Sequence, residues 1–163
     1  MKNPKIIFNS GQSDSRKTTT HLINILNHNG DLHFDDRNLI NSLLNYLPEY
    51  LYFKDNHSRF IRISRSLAED FGLNDPAQAI GKSDFDFFSD EHAEAAFHDE
   101  QEIMRTGKAI RKEEKETWPD RPDSWVLTTK MPLYDDNGRI IGTFGISSDI
   151  TERKLAEDQL RLQ

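Results

Sequence analysis

The segment from Trp125 to Ser148 limits the fold more than any other part of this chain. Two runs, Trp125–Leu133 and Ile140–Ser148, flank the turn sequence Asp136-Asn137-Gly138. An Asn-Gly turn between two alternating runs joins neighbouring strands antiparallel. Successive strand residues point to opposite faces, so each run has two unlike sides. In the second run Ile140, Gly142, Phe144 and Ile146 share one face, and Ile141, Thr143, Gly145 and Ser147 share the other. In the first run Trp125, Leu127, Thr129, Met131 and Leu133 oppose Val126, Thr128 and Lys130. Any fold for this chain is built around that ribbon.

The rest supplies partners for it. Tyr50–Lys54 and Phe60–Ile63 flank the turn Asp55-Asn56-His57-Ser58 and read as a second hairpin. Asp36–Leu47 reads as a helix with Leu39, Ile40, Leu43, Leu44 and Leu47 on one side, ended by Pro48. Ser64 or Ser66 caps a short helix to Phe71, and Gly72 stops it. Asp75-Pro76 starts a further helical turn. Ser89 caps a helix that runs to about Thr106, where Gly107 ends it; its inner stripe is Ala93, Ala96, Phe97, Glu100, Ile103 and Met104. Ile110–Trp118 contains Lys112-Glu113-Glu114-Lys115-Glu116 and reads as a solvated edge strand guarded by charge. Thr151–Leu162 is a helix with no stop signal. Hairpins at both ends with helices between them define an α+β fold.

Composition bounds the organisation. Of 163 residues 35% are hydrophobic, enough for one modest core. The expected division is a flexible arm over 1–35, a flanking helix over 36–48, one domain over 49–150 and the start of a linker helix over 151–163. The arm is rich in Asn, Ser, Thr and Asp, with a helical turn expected near His21–Asn27. Within it, Gly11–Thr18 has the outline of a phosphate loop, but Arg16 replaces the second glycine, so it is read as a polar tail. A net charge of −7 argues against a nucleic-acid partner. With no membrane-length apolar stretch and no signal-peptide core, the expected location is cytoplasmic.

No catalytic residue and no metal site is assigned, and an enzyme is not expected. The chain has no Cys, which removes thiolate ligands and cysteine nucleophiles. Asp84 and Asp86 lie among Phe85, Phe87 and Phe88, where short acids make turn and cap hydrogen bonds. His92 and His98 are read as surface side chains; Glu94 and His98 alone are too few for a metal.

Four runs carry a family likeness. They are Leu51-Tyr52-Phe53-Lys54-Asp55, Gly81 through Phe88, Trp125 through Leu133 with Asn137-Gly138, and Gly142 through Arg153 with Asp149-Ile150-Thr151 inside it. In this order they resemble the PAS sensory domain of bacterial signalling proteins. The resemblance implies a five-stranded antiparallel sheet in the order 2-1-5-4-3, helices on one face, and N-terminal and C-terminal signalling helices. It implies a sensory or relay module that passes a change to a C-terminal output domain, such as a histidine kinase or a diguanylate cyclase. Members of the family bind haem, flavin, small metabolites or nothing, so fold alone does not name the ligand. Covalent chromophores and flavin adducts need a Cys, which this chain lacks, and neither helix His suits haem.

The resemblance also implies that Thr143, Gly145 and Ser147 face the helices. Tyr52, Thr128, Lys130, Thr143, Gly145 and Ser147 are then the pocket candidates. A cation among hydroxyls would suit a small anionic metabolite and no other cofactor. The alternative is that Phe71, Phe85, Phe88 and Phe97 fill the space while Lys130 extends to solvent. The apolar sheet face would be covered by the Asp36–Leu47 helix or by a second copy, giving a homodimer. Asp149, Ile150 and Thr151 would pass the signal on, with Asp149 or Thr151 capping the exit helix. Two other readings stay open: a dimerisation module without a ligand, and a haem- or flavin-based redox or gas sensor.

Overall fold

Two hairpins and a charged edge strand merge into one sheet. The computed structural model describes residues 35–163; the arm, its helical turn and the Gly11–Thr18 run lie outside the described residues. The chain divides into units over 1–40 and 41–163, and the sheet lies wholly within the second. Helix α1 spans Asp36–Tyr46. Strands β1 (Tyr50–Asp55) and β2 (Phe60–Ile63) form the first hairpin, and the short helix α2 covers Arg65–Asp70. Two 3₁₀ turns, Pro76–Ala79 and Asp84–Asp86, lead to α3 (Asp90–Thr106). Then come β3 (Ile110–Glu116), β4 (Ser124–Tyr134), β5 (Ile140–Asp149) and α4 (Thr151–Arg161). All neighbouring strands are antiparallel, in the order β2-β1-β5-β4-β3.

Local chemistry places the breaks. The Ser64 hydroxyl accepts the Leu67 N–H at 3.3 Å and the Leu51 N–H at 3.0 Å, so it caps α2 and ties it to β1. Ser89 accepts the His92 N–H at 3.5 Å at the start of α3, and Gly107 closes that helix at φ +69°. The register sets Gly142 against Asp55 of β1. A Cβ there would overlap the Lys54 carbonyl, so only glycine lets the two central strands meet. Gly142→Ala is expected to cost about 1–3 kcal/mol, read as a lower urea midpoint. An unchanged midpoint would show that the strands part freely.

The core lies between the sheet and the helices. Tyr52, Phe60, Ile63, Leu67, Ala68 and Ala79 are buried together, with Phe71 and Phe87 packed beside them. Phe71 stacks on Phe87 with centroids 4.1 Å apart and meets Phe88 edge-on at 5.5 Å.

Val126, Thr128 and Lys130 of β4, with Thr143, Gly145 and Ser147 of β5, are buried on the helix side. The bulkier set, with Trp125, Leu127, Phe144 and Ile146, lies half-buried on the outer side. Leu44 of α1 is buried, while Leu43 stays 46% exposed. Phe85 and Phe97 do not fill the interior as the alternative to an open pocket requires, and Phe97 leaves the inner stripe expected of α3; they are 47% and 43% exposed. Ala93, Ala96, Glu100 and Ile103 fill the inward arc of α3, and Phe97 falls just outside it. The charged strand is only half solvated. Arg111, Glu113 and Lys115 face out, Lys112 and Glu114 are partly buried, and Glu116 is buried.

Candidate functional site

Strand periodicity puts Tyr52 and Lys54 of β1, Thr128 and Lys130 of β4, and Ser147 of β5 on one inner surface. Helical periodicity puts His92, Ala96 and Glu100 of α3 opposite them. Asp84, Phe88, Glu114 and Glu116 add to the walls of a cavity of about 40 Å³, and aromatic and aliphatic side chains such as Phe60, Phe71 and Val126 close the rest. A buried water needs roughly 10–15 Å³ by this measure, so there is room for about three.

Of the pocket candidates, Tyr52, Thr128, Lys130 and Ser147 line this cavity. The Ser147 hydroxyl donates to Thr128 Oγ1 at 2.9 Å. Thr143 is buried outside the lining, and its hydroxyl has no hydrogen-bond partner. Gly145 sits beneath the Tyr52 phenol, where a Cβ would collide with the ring. Lys130 does not extend to solvent. Its ammonium donates to Asp99 Oδ2 at 3.0 Å and Glu114 Oε1 at 3.2 Å, and both acids also bind Lys112. Burial alone would lower the Lys130 pKa, but Glu114 and Asp99 hold it above its ordinary value.

A second lysine escaped the sequence reading. Lys54 is 2% exposed, and its ammonium binds Asp84 Oδ2 at 2.5 Å and Glu100 Oε1. It also lies 4.8 Å from the Phe60 ring centroid. Burial opposes its charge, and the two carboxylates outweigh burial and raise its pKa. Asp84 therefore serves a buried ion cluster rather than a turn, whereas Asp86 does close its turn by accepting the Ser83 N–H at 2.8 Å. Burial raises the Glu100 pKa, with Lys54 opposing. Glu100 Oε2 has no well-formed hydrogen bond, although the Ser58 side chain faces that carboxyl.

Glu116 is the least compensated acid. It is 6% exposed, and among the described residues it has no ion-pair partner. The Ser124 hydroxyl donates to it at 3.1 Å and in turn accepts the Trp118 indole N–H at 2.9 Å. Burial, then Asp70, pushes its pKa up to about 8. His92 is not the surface residue expected of it. It is buried against the Phe88 ring at 4.3 Å, and burial lowers its pKa. His98 is exposed as expected. Alternation along β1 from Tyr52 would have flagged Lys54, and the inner stripe of α3 already held Glu100; their pairing needs the fold.

The exit junction joins this site to α4. The Trp125 N–H donates to Thr151 Oγ1 at 2.9 Å, and the Ile150 N–H donates to the Trp125 carbonyl at 2.8 Å. Asp149 Oδ1 accepts the Thr151 N–H at 2.8 Å. The helix N-cap is Ile150, which has no capping side chain, so neither Asp149 nor Thr151 holds the expected cap position; Asp149 acts from one residue earlier and Thr151 lies in the first turn. Glu113 of β3 holds the first turn of α4 through Arg153 at 2.5 Å and Lys154 at 2.6 Å. Beyond that turn Leu155 and Leu160 are 59% and 69% exposed.

The sheet order, the inner cavity and the exit helix define a class, and a family model for the PAS fold matches residues 44–155. The chain belongs to the PAS-fold family. The aerobic respiration control sensor protein ArcB of Escherichia coli (strain K12) is 25% identical over 121 residues, 74% of this chain and 15% of that protein. VqmA bound to DPO superposes with a TM-score of 0.62 at 27% identity, covering 69% of this chain and 57% of that one. The PAS domain of a Colwellia psychrerythraea protein gives 0.61 at 19% identity, covering 72% and 99%, a likeness of fold. The chain thus spans a minor part of the curated relatives it matches. No helix among the described residues is long and apolar enough to cross a membrane.

Proposed function

We propose that this domain is a ligand-responsive sensory module that takes a small molecule into its inner cavity and passes the change to a C-terminal output domain through α4. One observation carries the reading: β4 bears both ends of the path. Its Thr128 and Lys130 line the cavity, and its Trp125 is hydrogen-bonded to the first turn of α4. A shift of β4 on ligand uptake would therefore move the start of the exit helix. The sensor role in the name of ArcB and the DPO-bound state of VqmA support it. The half-buried apolar outer face supports a homodimer as the working form. No catalytic step is assigned to this domain.

The test is a thermal-shift screen of the chain against small metabolites, repeated on Ser147→Phe, which plugs the cavity. At least one compound is expected to raise the Tm of the parent and not of the plugged variant. A blank screen, or shifts that survive the plug, would refute sensing at this cavity. Asp149→Ala with Thr151→Ala removes the acceptors of the Thr151 and Trp125 N–H groups. It is expected to cost about 1 kcal/mol per lost hydrogen bond and to speed amide exchange in α4, with the sheet fold retained. In a chain carrying its output domain, the same double variant should lose regulated output. Output that stays normally regulated would show that the signal leaves by another route.

A further inference from the structure

The chemistry of the cavity walls is unbalanced. Asp84, Glu100, Glu114 and Glu116 face it against Lys54 and Lys130, four acids to two ammonium groups. Neither ammonium is available to a ligand. Lys54 is held by Asp84 and Glu100, and Lys130 by Asp99 and Glu114. What remains uncompensated is acidic. Glu100, 1% exposed, keeps one oxygen without a well-formed hydrogen bond, and Glu116 meets only a serine hydroxyl.

We infer that this cavity takes the head of a small organic cation, a protonated amine, with Glu116 as its acceptor. The inference rests on the ligand-sensing reading and names its ligand class. An anion would have to displace a carboxylate from one of the two lysines inside a water-poor site. An ammonium group instead brings N–H donors to the Glu116 carboxylate and supplies the counter-charge it is missing. The volume of about 40 Å³ admits a head group of about three heavy atoms.

Proton balance gives the binding a direction with pH. Glu116 holds its proton below about pH 8, and an ammonium ion entering beside it drives that proton to solvent. Binding therefore tightens as pH rises through 8, until the amine itself deprotonates near the ordinary lysine value of about 10.4. The charged and titratable groups around Glu116 are Tyr50, Asp70 with its ion-pair partner Arg121, His92, Glu114, Lys130 and Asp149. His92, with its depressed pKa, is neutral across that range.

The experiment titrates the full chain with ethylammonium chloride, sodium formate and ethanol, each of about three heavy atoms, at constant ionic strength. Amide resonances of Ala96, Thr128 and Ser147 are followed by NMR. Ethylammonium is expected to shift them saturably and about 25-fold more tightly at pH 8.5 than at pH 6.5, as displacement of a proton held with a pKa of about 8 requires. Glu116→Gln should weaken it at least tenfold at pH 8.5 and flatten the pH dependence, with thermal unfolding showing that the variant is folded. Formate or ethanol binding as tightly as ethylammonium would overturn the cation assignment and leave the sensing reading standing. Ethylammonium binding that Glu116→Gln leaves unchanged would overturn the assigned acceptor. Failure of all three probes overturns the inference, and the sensing reading falls with it only if the metabolite screen is also blank.

Discussion

Lys54→Met is expected to lower the unfolding free energy by about 3–5 kcal/mol, because it strips the cation from a buried cluster and leaves its acids behind. Asp84 comes from a 3₁₀ turn and Glu100 from the middle of α3, and both reach across the interior to one ammonium on β1. Methionine fills nearly the same volume, so the loss is electrostatic rather than a void. The deficit should shrink in acid, where the stranded carboxyls protonate. Adding Asp84→Asn and Glu100→Gln to Lys54→Met should recover most of the loss, since neutral groups need no counter-charge. Urea unfolding at pH 7 and pH 5 measures each step. A loss under 1 kcal/mol in the single variant, or no recovery in the triple, would show that the cluster does not hold the helices to the sheet.

Much of the fold was legible because it depends on near neighbours. Asn137-Gly138 sets a hairpin whatever the rest of the chain does, and Ser89 and Gly107 bracket α3 by local hydrogen bonding and backbone geometry. The inner face was harder. Thr143, Gly145 and Ser147 form the more polar side of β5, which simple partition would send to water. They turn inward because a small-residue surface leaves room under the helices for Tyr52 and the cavity. The charged groups were the least legible. Lys54 finds its partners 30 and 46 residues away, a distance over which no sequence pattern pairs charges. In β3 the charge run looks uniform, yet alternate members turn inward, and Glu116 ends fully enclosed beside Trp118 and Ser124. A polar strand thus hides part of the candidate site.

Glu116 should dominate the pH dependence of stability. Its folded pKa of about 8 lies above the ordinary 4.5 because burial disfavours the carboxylate. Between these values the native state holds a proton that the unfolded chain has released. Stability therefore falls as pH rises from about 4.5 to 8, and above 8 the full cost is present, roughly 3–5 kcal/mol. Raised by burial as well, Glu100 adds in the same direction. His92 acts on the other side: its depressed pKa costs stability only as pH drops below its unfolded value, about 6.5. The interval from pH 7 to 9 is thus free of it. Glu116→Gln keeps an acceptor for the Ser124 hydroxyl and removes the charge. It should match the parent near pH 4.5 and exceed it by roughly 3–5 kcal/mol at pH 9, in urea unfolding followed by tryptophan fluorescence. Parallel stability curves for variant and parent from pH 5 to 9 would contradict a buried, uncompensated acid. A gain at pH 9 together with lost ethylammonium binding would mean that the domain gives up stability to keep an acid in its cavity.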